Sequence, residues 1–375
     1  MLKAPVPYTP DIEHADEDEA QLAAHLAETL LKISRKTYED THEGLRSVHA
    51  KSHALLTGRL DVLADLPPEL AQGLFATPGQ YPVIMRFSTT PGDILPDAVS
   101  TPRGLAIKVI GVPGPRLPGT QDATTQDFVM VNGPAFQTPD GKAFLGNLKL
   151  LAMTTDKGEG AKVALSKVLR ATEGAIEGMG GKSTLLRALG GHPATHPLSE
   201  IYYSATPFLY GPYMAKFSIA PVSEDLTMHG HDHIEIDGNP TAIREAMLDH
   251  FAIMGGEWEL RVQLCTDLDA MPVENAAKVW PEDQSPFVCV ARLIVEPQTA
   301  WSEARSAAID DGMSFSPWHG LEAHRPLGSI NRLRRTAYEA SARARSEREH
   351  RPMTEPRDVK SLFVDEPEAA QVYYP

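Results

Sequence analysis

The sequence has few cysteines, no long apolar run and no excess of positive charge. Among 375 residues only Cys265 and Cys289 are cysteines, which excludes a disulfide framework and indicates two reduced core thiols. No stretch approaches the roughly 20 apolar residues that a membrane-spanning helix needs. The first 20 residues contain no apolar segment after a basic lead, so we expect no secretory signal. These absences favour a cytoplasmic protein.

Acidic residues outnumber basic ones, 50 to 35, and the formal net charge is −15. This balance argues against nucleic acid or an anionic membrane surface as the main partner. The hydrophobic fraction of 42% and the charged fraction of 23% are close to the globular average. We therefore expect a folded protein with a small, uncharged substrate, no nucleic-acid partner and no membrane span.

Short β-like runs separated by Gly and Pro turns follow residue 44 and return after residue 200. Such runs are typical of antiparallel strands. Helical patterns occur in residues 16–38, in an insertion at about 142–189, and after residue 301. The pattern predicts an α+β fold in which an antiparallel β-barrel carries flanking and inserted helices.

One helical stretch near the end of the chain carries a stripe of Arg and Tyr. NRLRRTAYEASARAR contains no Gly or Pro, and we predict a helix at about 330–347. Residues three or four apart share a helix face, which aligns Arg334, Tyr338 and Arg345. A cation within about 4–6 Å of a phenol favours the phenolate, which is a hard ligand for ferric iron. The alternative is a solvated helix face with a half-buried ring.

Two earlier runs offer candidate catalytic and anion-binding side chains. RSVHAK contains Arg46, Val48 and His49 just before a predicted strand, and MRFST contains Arg86 and Ser88. A neutral His can move a proton between substrate atoms, and the Arg fork binds buried carboxylates in a bidentate manner. Taken alone, such a His is more often a surface or core residue.

Together these runs resemble the motifs of the haem catalases. The Arg, Tyr, Arg stripe is similar to the proximal haem-ligand helix of that family, RSVHAK to its distal-histidine motif, and MRFST to a second signature. PRG at 102–104, VNGPAF at 131–136, KVWP at 278–281 and FSP at 315–317 resemble further family motifs. All seven matches follow the family order.

The resemblance implies a catalase-like haem domain at residues 44–350, after an N-terminal arm and helix at 1–43 and before a tail at 351–375. It implies haem b as cofactor, with the Tyr338 phenolate as the iron ligand. The residues implied as catalytic are His49, Ser88 and Asn132. The residues implied as cofactor-binding are Arg46, Val48, Arg86, Phe136, Arg334, Tyr338 and Arg345.

The activity that the resemblance implies is decomposition of hydrogen peroxide or reduction of small organic peroxides, as in an oxidative stress response. Two alternatives stay open: an allene oxide synthase or hydroperoxide lyase acting on lipid hydroperoxides, and a haem-binding protein without turnover. Val48, where lipid-hydroperoxide enzymes typically have Thr, favours catalase or peroxidase chemistry. Either Val131 or Asn132 takes the distal amide position of the family. We also expect a homo-oligomer.

A histidine-rich loop lies outside these motifs. Its composition is typical of metal sites, but its flanking glycines favour a surface turn. The residues concerned are His229, His231, Asp232, His233 and Glu235.

Overall fold

The computed structural model describes residues 3–90, 92–154 and 193–362. The strands in these ranges are β1 (Lys51–Val62), β2 (Gly79–Thr89), β3 (Arg103–Val109), β4 (Gln126–Val131), β5 (Tyr202–Tyr203), β6 (Phe208–Tyr210), β7 (Tyr213–Pro221), β8 (Gly256–Leu264) and β9 (Val288–Val295). The α-helices are α1 (Glu19–Thr41), α2 (Gly141–Thr154), α3 (Glu224–Thr227), α4 (Ala242–Ile253), α5 (Glu303–Arg305) and α6 (Gly328–Arg348). A π-helix, Ser306–Asp311, continues α5.

The strands form one antiparallel sheet that closes on itself. Their order is β5-β4-β3-β2-β1-β9-β8-β7-β6, and an additional pairing between β5 and β7 closes an eight-stranded barrel. The pair Tyr203 and Ser218 belongs to this closing contact, and β6 lies outside the ring, paired with β7. The predicted antiparallel barrel with flanking helices is confirmed.

Each strand of the barrel wall has one apolar face and one mixed face. Along β2, Met85 and Phe87 point into the main apolar core, whereas the intervening Arg86 and the following Ser88 lie on the other face. This alternation follows from the two-residue period of a strand. Polar side chains of the predicted site therefore project outside the barrel, towards the helices.

Three helices cover part of that outer face and share a second apolar cluster. It contains Leu26 and Leu30 from α1, Leu145 from α2, and Leu333 and Ala337 from α6. The apolar residues of α1 recur every three or four positions, which places them on one side of the helix. Helix α6 begins and ends within two residues of the predicted 330–347. None of the described helices is long and apolar enough to cross a membrane.

Helix α4 was not predicted. Its buried side chains Ile243, Met247 and Phe251 have helical spacing, but the segment lies between two strand-like runs and was read as part of the sheet region. Of the predicted insertion at 142–189, α2 is the described part, and the remainder lies outside the described residues. The boundaries at 43 and 350 stay predictions.

The segment after α6 is joined to the barrel by a buried charge cluster. The Lys108 ammonium lies 2.7 Å from Asp127 Oδ1 and 2.7 Å from Glu355 Oε2. His319 Nδ1 lies 3.3 Å from Asp127 and 3.2 Å from Glu355, so two cations face two carboxylates. Burial opposes protonation of His319, but these carboxylates outweigh it and raise its pKa to about 9. Charge pairing thus fixes the first part of the predicted tail.

Stability should therefore decrease in alkaline solution. Because the pKa of His319 is raised on folding, its contribution is complete below the unfolded value of about 6.5 and is lost as the pH passes about 9. The contribution is on the order of 2–3 kcal/mol. Urea unfolding at about pH 6 and about pH 10 should show this loss in the parent protein and a smaller one in His319→Gln. Equal pH dependence in the two proteins would contradict the assignment.

Candidate functional site

His49 lies just before β1 in a backbone conformation that is uncommon for its residue type. Its φ of 54° is in the left-handed region, which costs free energy for a residue with a Cβ. The Arg86 guanidinium stabilises this turn, since its Nη2 donates to the carbonyl oxygens of His49 (2.9 Å) and Ala50 (3.1 Å). A side chain from the barrel wall therefore fixes the backbone of the predicted catalytic histidine.

The His49 ring rests against Ser88 and Gly104 on the outer face of the barrel. Ser88 Oγ lies 3.2 Å from His49 Nδ1. A Cβ at Gly104 would lie 2.6 Å from the ring atoms Cε1 and Nδ1, closer than side chains tolerate. Because Gly104 has no side chain, the His49 ring can pack against the sheet here, in contact with Ser88.

The strand register shows which neighbour shares this face. Ser88 pairs with Gly104 and Gly104 pairs with Val131, and directly paired residues of antiparallel strands project to the same side. Val131 therefore lies on the side of the sheet that carries the His49 ring. The row of paired residues Ser88, Gly104 and Val131 therefore ends in an apolar side chain.

Asn132, the next residue, makes other contacts. Its Oδ1 accepts a hydrogen bond of 2.9 Å from the backbone N–H of Arg103, and its Nδ2 donates to Glu200. Glu200 also accepts from the Arg103 side chain at 3.1 Å. The amide of Asn132 is part of a polar network at the end of β4, and its predicted catalytic role stays a prediction.

The imidazole of His49 is neutral over the physiological pH range. Burial, and after it the charges of Arg86, Arg334 and Arg46, lower its pKa to about 3. The residue nevertheless keeps some accessible surface. It is thus an uncharged ring in densely packed surroundings that still borders open space.

Asp310 lies among the three arginines that were predicted to bind haem carboxylates, which are Arg46, Arg86 and Arg345. Arg86 Nε lies 2.6 Å and Arg46 Nη1 3.0 Å from Asp310 Oδ1, and Arg345 donates to the Asp310 carbonyl oxygen. Oδ2 accepts from Ser52 at 2.7 Å. Burial would raise the pKa of Asp310, but Arg86 and Arg46 outweigh it and lower it to about 2.

Asp310 was missed by sequence reasoning, although it lies at the end of the π-helix. Such helices are rare and are often found at functional sites, but i to i+5 hydrogen bonding leaves no recognisable mark in a sequence. Arg46 and Arg86 pair with this carboxylate, and Arg345 binds the backbone carbonyl oxygen of the same residue. Arg345 Nε is buried without a hydrogen-bond partner. An anionic ligand would find both charge and an unused donor here.

Helix α6 carries the predicted metal ligand, Tyr338, in contact with an arginine of the same helix. Arg334 Nη2 donates to the Tyr338 hydroxyl at 3.0 Å, and its Nη1 donates to Asn331 Oδ1 at 3.1 Å. One turn after Tyr338, Ser341 Oγ lies 3.1 Å from Ser47 Oγ, two residues before His49. The structure therefore brings the turn that carries His49 into contact with the helix that carries Tyr338, and the roles predicted for these two residues stay predictions.

The two apolar residues predicted to bind the cofactor lie near the helical cluster. Val48 packs against the cluster formed by α1, α2 and α6. Phe136 makes an edge contact with Phe144 of α2, with ring centroids 5.0 Å apart. Their contact with a cofactor stays a prediction.

A second candidate for cation binding lies in the charge cluster described above. One ligand atom each of Asp127, His319 and Glu355 lies within 4.8 Å of the others, close enough to hold a metal ion. The Lys108 ammonium already lies 2.7 Å from both carboxylates. A divalent ion would have to displace this buried charge, so the cluster is better understood as a structural ion-pair network.

The fold is similar to that of catalases of known structure. A fungal catalase has a TM-score of 0.57 and 18% identity, over 91% of this chain and 65% of that chain. Catalase A from Saccharomyces cerevisiae has a TM-score of 0.55 and 17% identity, over 92% and 67%. A bacterial catalase has a TM-score of 0.55 and 18% identity, over 99% and 69%.

The likeness establishes a catalase-like α+β fold. No protein-family model and no curated protein matches the chain. The chain spans 65% of the length of the fungal catalase, slightly less than two thirds. The predicted resemblance to the catalase fold is thus confirmed, and activity and cofactor are matters for proposal.

The donor set of this site fits a haem. Tyr338 supplies a phenol oxygen beside a guanidinium, the Arg345 Nε donor is unused, and Arg46, Arg86 and Arg345 lie together around Asp310. Guanidinium groups are well suited to bind propionates.

The stability of this region should depend on Asp310. Removing one partner of a buried ion pair leaves uncompensated charge, which costs roughly 3–5 kcal/mol. We expect Asp310→Ala to lower the free energy of urea unfolding by that amount. Asp311→Ala is the matched control, because Asp311 is half-buried and has no short ion pair with these arginines; its effect should stay below about 1 kcal/mol. Equal effects of the two substitutions would contradict the central role of Asp310.

Proposed function

We propose that the protein is a haem-dependent oxidoreductase that acts on peroxides, with His49 as the proton-transferring residue and Tyr338 as the iron ligand. The observation that carries the proposal is the juxtaposition of a neutral His on the barrel face with an Arg-paired Tyr on α6. The contact of 3.1 Å between Ser47 and Ser341 links their two segments. The catalase-like fold supports the same conclusion.

The surroundings of His49 suit proton transfer at its Nε2 atom. Ser88 Oγ can accept from His49 Nδ1–H at 3.2 Å while donating to the Gly104 carbonyl oxygen at 3.5 Å. In that arrangement the neutral ring carries its lone pair on Nε2. Such a ring can take a proton from one peroxide oxygen and return it to the other. Ser88 thus favours the tautomer of His49 with the proton on Nδ1, and the missing side chain at Gly104 leaves room for the ring.

Helix α6 would supply the metal ligand, Tyr338, and the guanidinium beside it, Arg334. Ferric haem, when bound, supplies the redox chemistry that cleaves the peroxide O–O bond. Tyr338 would hold the iron through its phenol oxygen, and the Arg334 guanidinium, which donates to that oxygen at 3.0 Å, would fix its position. Arg46, Arg86 and Arg345 would hold the propionates, with Asp310 fixing their positions.

The wall of the site beside His49 suits small organic peroxides as well as hydrogen peroxide. Val131 places an apolar side chain on the His49 face, whereas the Asn132 amide is engaged by Arg103 and Glu200. An apolar wall favours an alkyl substituent and provides no second hydrogen-bond donor for a small, fully polar substrate. Reduction of organic peroxides, including lipid hydroperoxides, is therefore a second candidate beside hydrogen peroxide disproportionation.

The ligand assignment predicts the absorption spectrum. The purified protein, reconstituted with haem, should show a ferric high-spin spectrum, and Tyr338→Phe should lose or misligate the haem. Tyr81→Phe is the matched control, since Tyr81 lies on the barrel and should leave the spectrum unchanged. An unchanged spectrum in Tyr338→Phe would mean that another residue binds the iron, and no haem uptake by the parent protein would refute the proposal.

The role of His49 predicts a selective loss of turnover. His49→Ala should retain haem but lower peroxide turnover by about 100-fold or more, because proton transfer contributes about 10²–10⁴-fold. Oxygen release from hydrogen peroxide and reduction of an alkyl hydroperoxide to its alcohol are the two readouts. His25→Ala, on the exposed face of α1, should behave as the parent protein. Full turnover in His49→Ala would rule out this role.

A further inference from the structure

A second group of imidazoles lies away from the proposed haem site, where α4 meets the histidine-rich loop. His229 Nε2 lies 3.0 Å from His250 Nδ1 of α4. The outer nitrogen of each ring has a fixed partner: His229 Nδ1 lies 2.8 Å from Asp232 Oδ2, and His250 Nε2 lies 2.9 Å from the Gly255 carbonyl oxygen. The flanking glycines predict a surface turn here, and α4, which lies beside the loop, was not predicted.

The partners determine where the ring protons are. A backbone carbonyl and an ionised carboxylate can only accept, so His250 Nε2 and His229 Nδ1 must both donate. In neutral rings the remaining nitrogens, His250 Nδ1 and His229 Nε2, then carry lone pairs. These lone pairs face each other across 3.0 Å, an arrangement that a cation between them, either a proton or a metal ion, stabilises.

We propose that His229 Nε2 and His250 Nδ1 bind a late first-row transition-metal ion, with Zn²⁺ as the simplest case. A ring nitrogen that binds a metal typically has its partner nitrogen anchored by a carboxylate or a backbone carbonyl, and both anchors are present here. Opening the separation from 3.0 Å to about 3.3 Å would place both nitrogens on a tetrahedral ion at about 2.0–2.1 Å.

The surroundings provide the remaining coordination positions. A cavity of about 410 Å³ is bordered by both rings and also by Asp249, His233 and Met254. Asp249 and His233 are exposed, so they can turn towards an ion, and water has access to the same space. Carboxylate, imidazole and water ligands fit Zn²⁺, whereas Mg²⁺ and Ca²⁺ prefer all-oxygen sites.

A third imidazole supports the position of the first. The His196 ring stacks on the His229 ring with centroids 4.0 Å apart and an interplanar angle of 9°. His196 Nδ1 accepts from the backbone N–H of Leu198 at 3.3 Å, so its neutral ring carries the proton on Nε2. His196 therefore restricts the orientation of His229 and does not itself offer a lone pair to the ion.

The test is Zn²⁺ binding to the full chain after treatment with a chelator, measured by equilibrium dialysis and by calorimetry. We expect Zn²⁺ to bind and excess Mg²⁺ not to compete. Asp232→Asn, on a side chain that is 56% exposed, removes only the anchor of His229 and should weaken binding by about 10–100-fold. His229→Gln should weaken it at least as much.

The matched controls separate this site from other histidines of the chain. His25→Gln on α1 should bind Zn²⁺ as the parent protein does. His319→Gln should also bind normally, and loss of binding in this variant would assign the ion to the cluster around Lys108 instead. Absence of Zn²⁺ binding by the parent protein, or unaltered binding in both Asp232→Asn and His229→Gln, would overturn the proposal. None of these outcomes depends on haem or peroxide activity.

Discussion

The carboxylate of Asp310 is the interaction on which the arrangement of the site depends. The carboxylate binds Arg46 in the turn before β1, and Arg86 and Ser52 in the barrel wall. The backbone carbonyl oxygen of Asp310 accepts a hydrogen bond from Arg345 of α6. Desolvating these guanidinium groups without a counter-charge would be prohibitive, and so would burying the carboxylate alone. Barrel and helix are therefore held together by charges that are unstable separately.

This constraint reaches His49 through Arg86. The same guanidinium that pairs with Asp310 donates to the His49 carbonyl oxygen at 2.9 Å and stabilises an unfavourable backbone conformation. The free energy stored in that turn is offset elsewhere, which is the usual situation of strained residues at functional sites. The ring then needs space on the sheet, and Gly104 provides it.

Much of the fold and part of the site could be predicted from sequence because both follow local patterns. The alternation of apolar and polar residues predicted the main strands, and helical spacing predicted α1 and α6 with the Arg334 and Tyr338 pair. Ser88 beside His49 came from the resemblance to catalases. These features depend on residues close in sequence or on motifs in a fixed order.

The remaining features depend on which distant groups meet, and no spacing rule encodes that. Asp310 is 264 residues from Arg46 in sequence, and nothing distinguishes it from the 49 other acidic residues. Glu355 was assigned to a tail, yet it pairs with Lys108. His250 lies on the unpredicted α4, so its contact with the histidine-rich loop could not be predicted. Whether Val131 or Asn132 shares the face of His49 required the strand register.

Ser88, Gly104 and Val131 are paired across three strands and lie on the same face of the sheet, opposite the barrel core. Each member lies an odd number of residues from a neighbour in the barrel core, such as Phe87, Leu105 or Met130. One residue inserted or deleted within β2, β3 or β4 would exchange the two sets, placing the apolar core residues under His49 and the site residues inside the barrel. Changes in length that preserve both core and site are therefore expected mainly in the connecting loops.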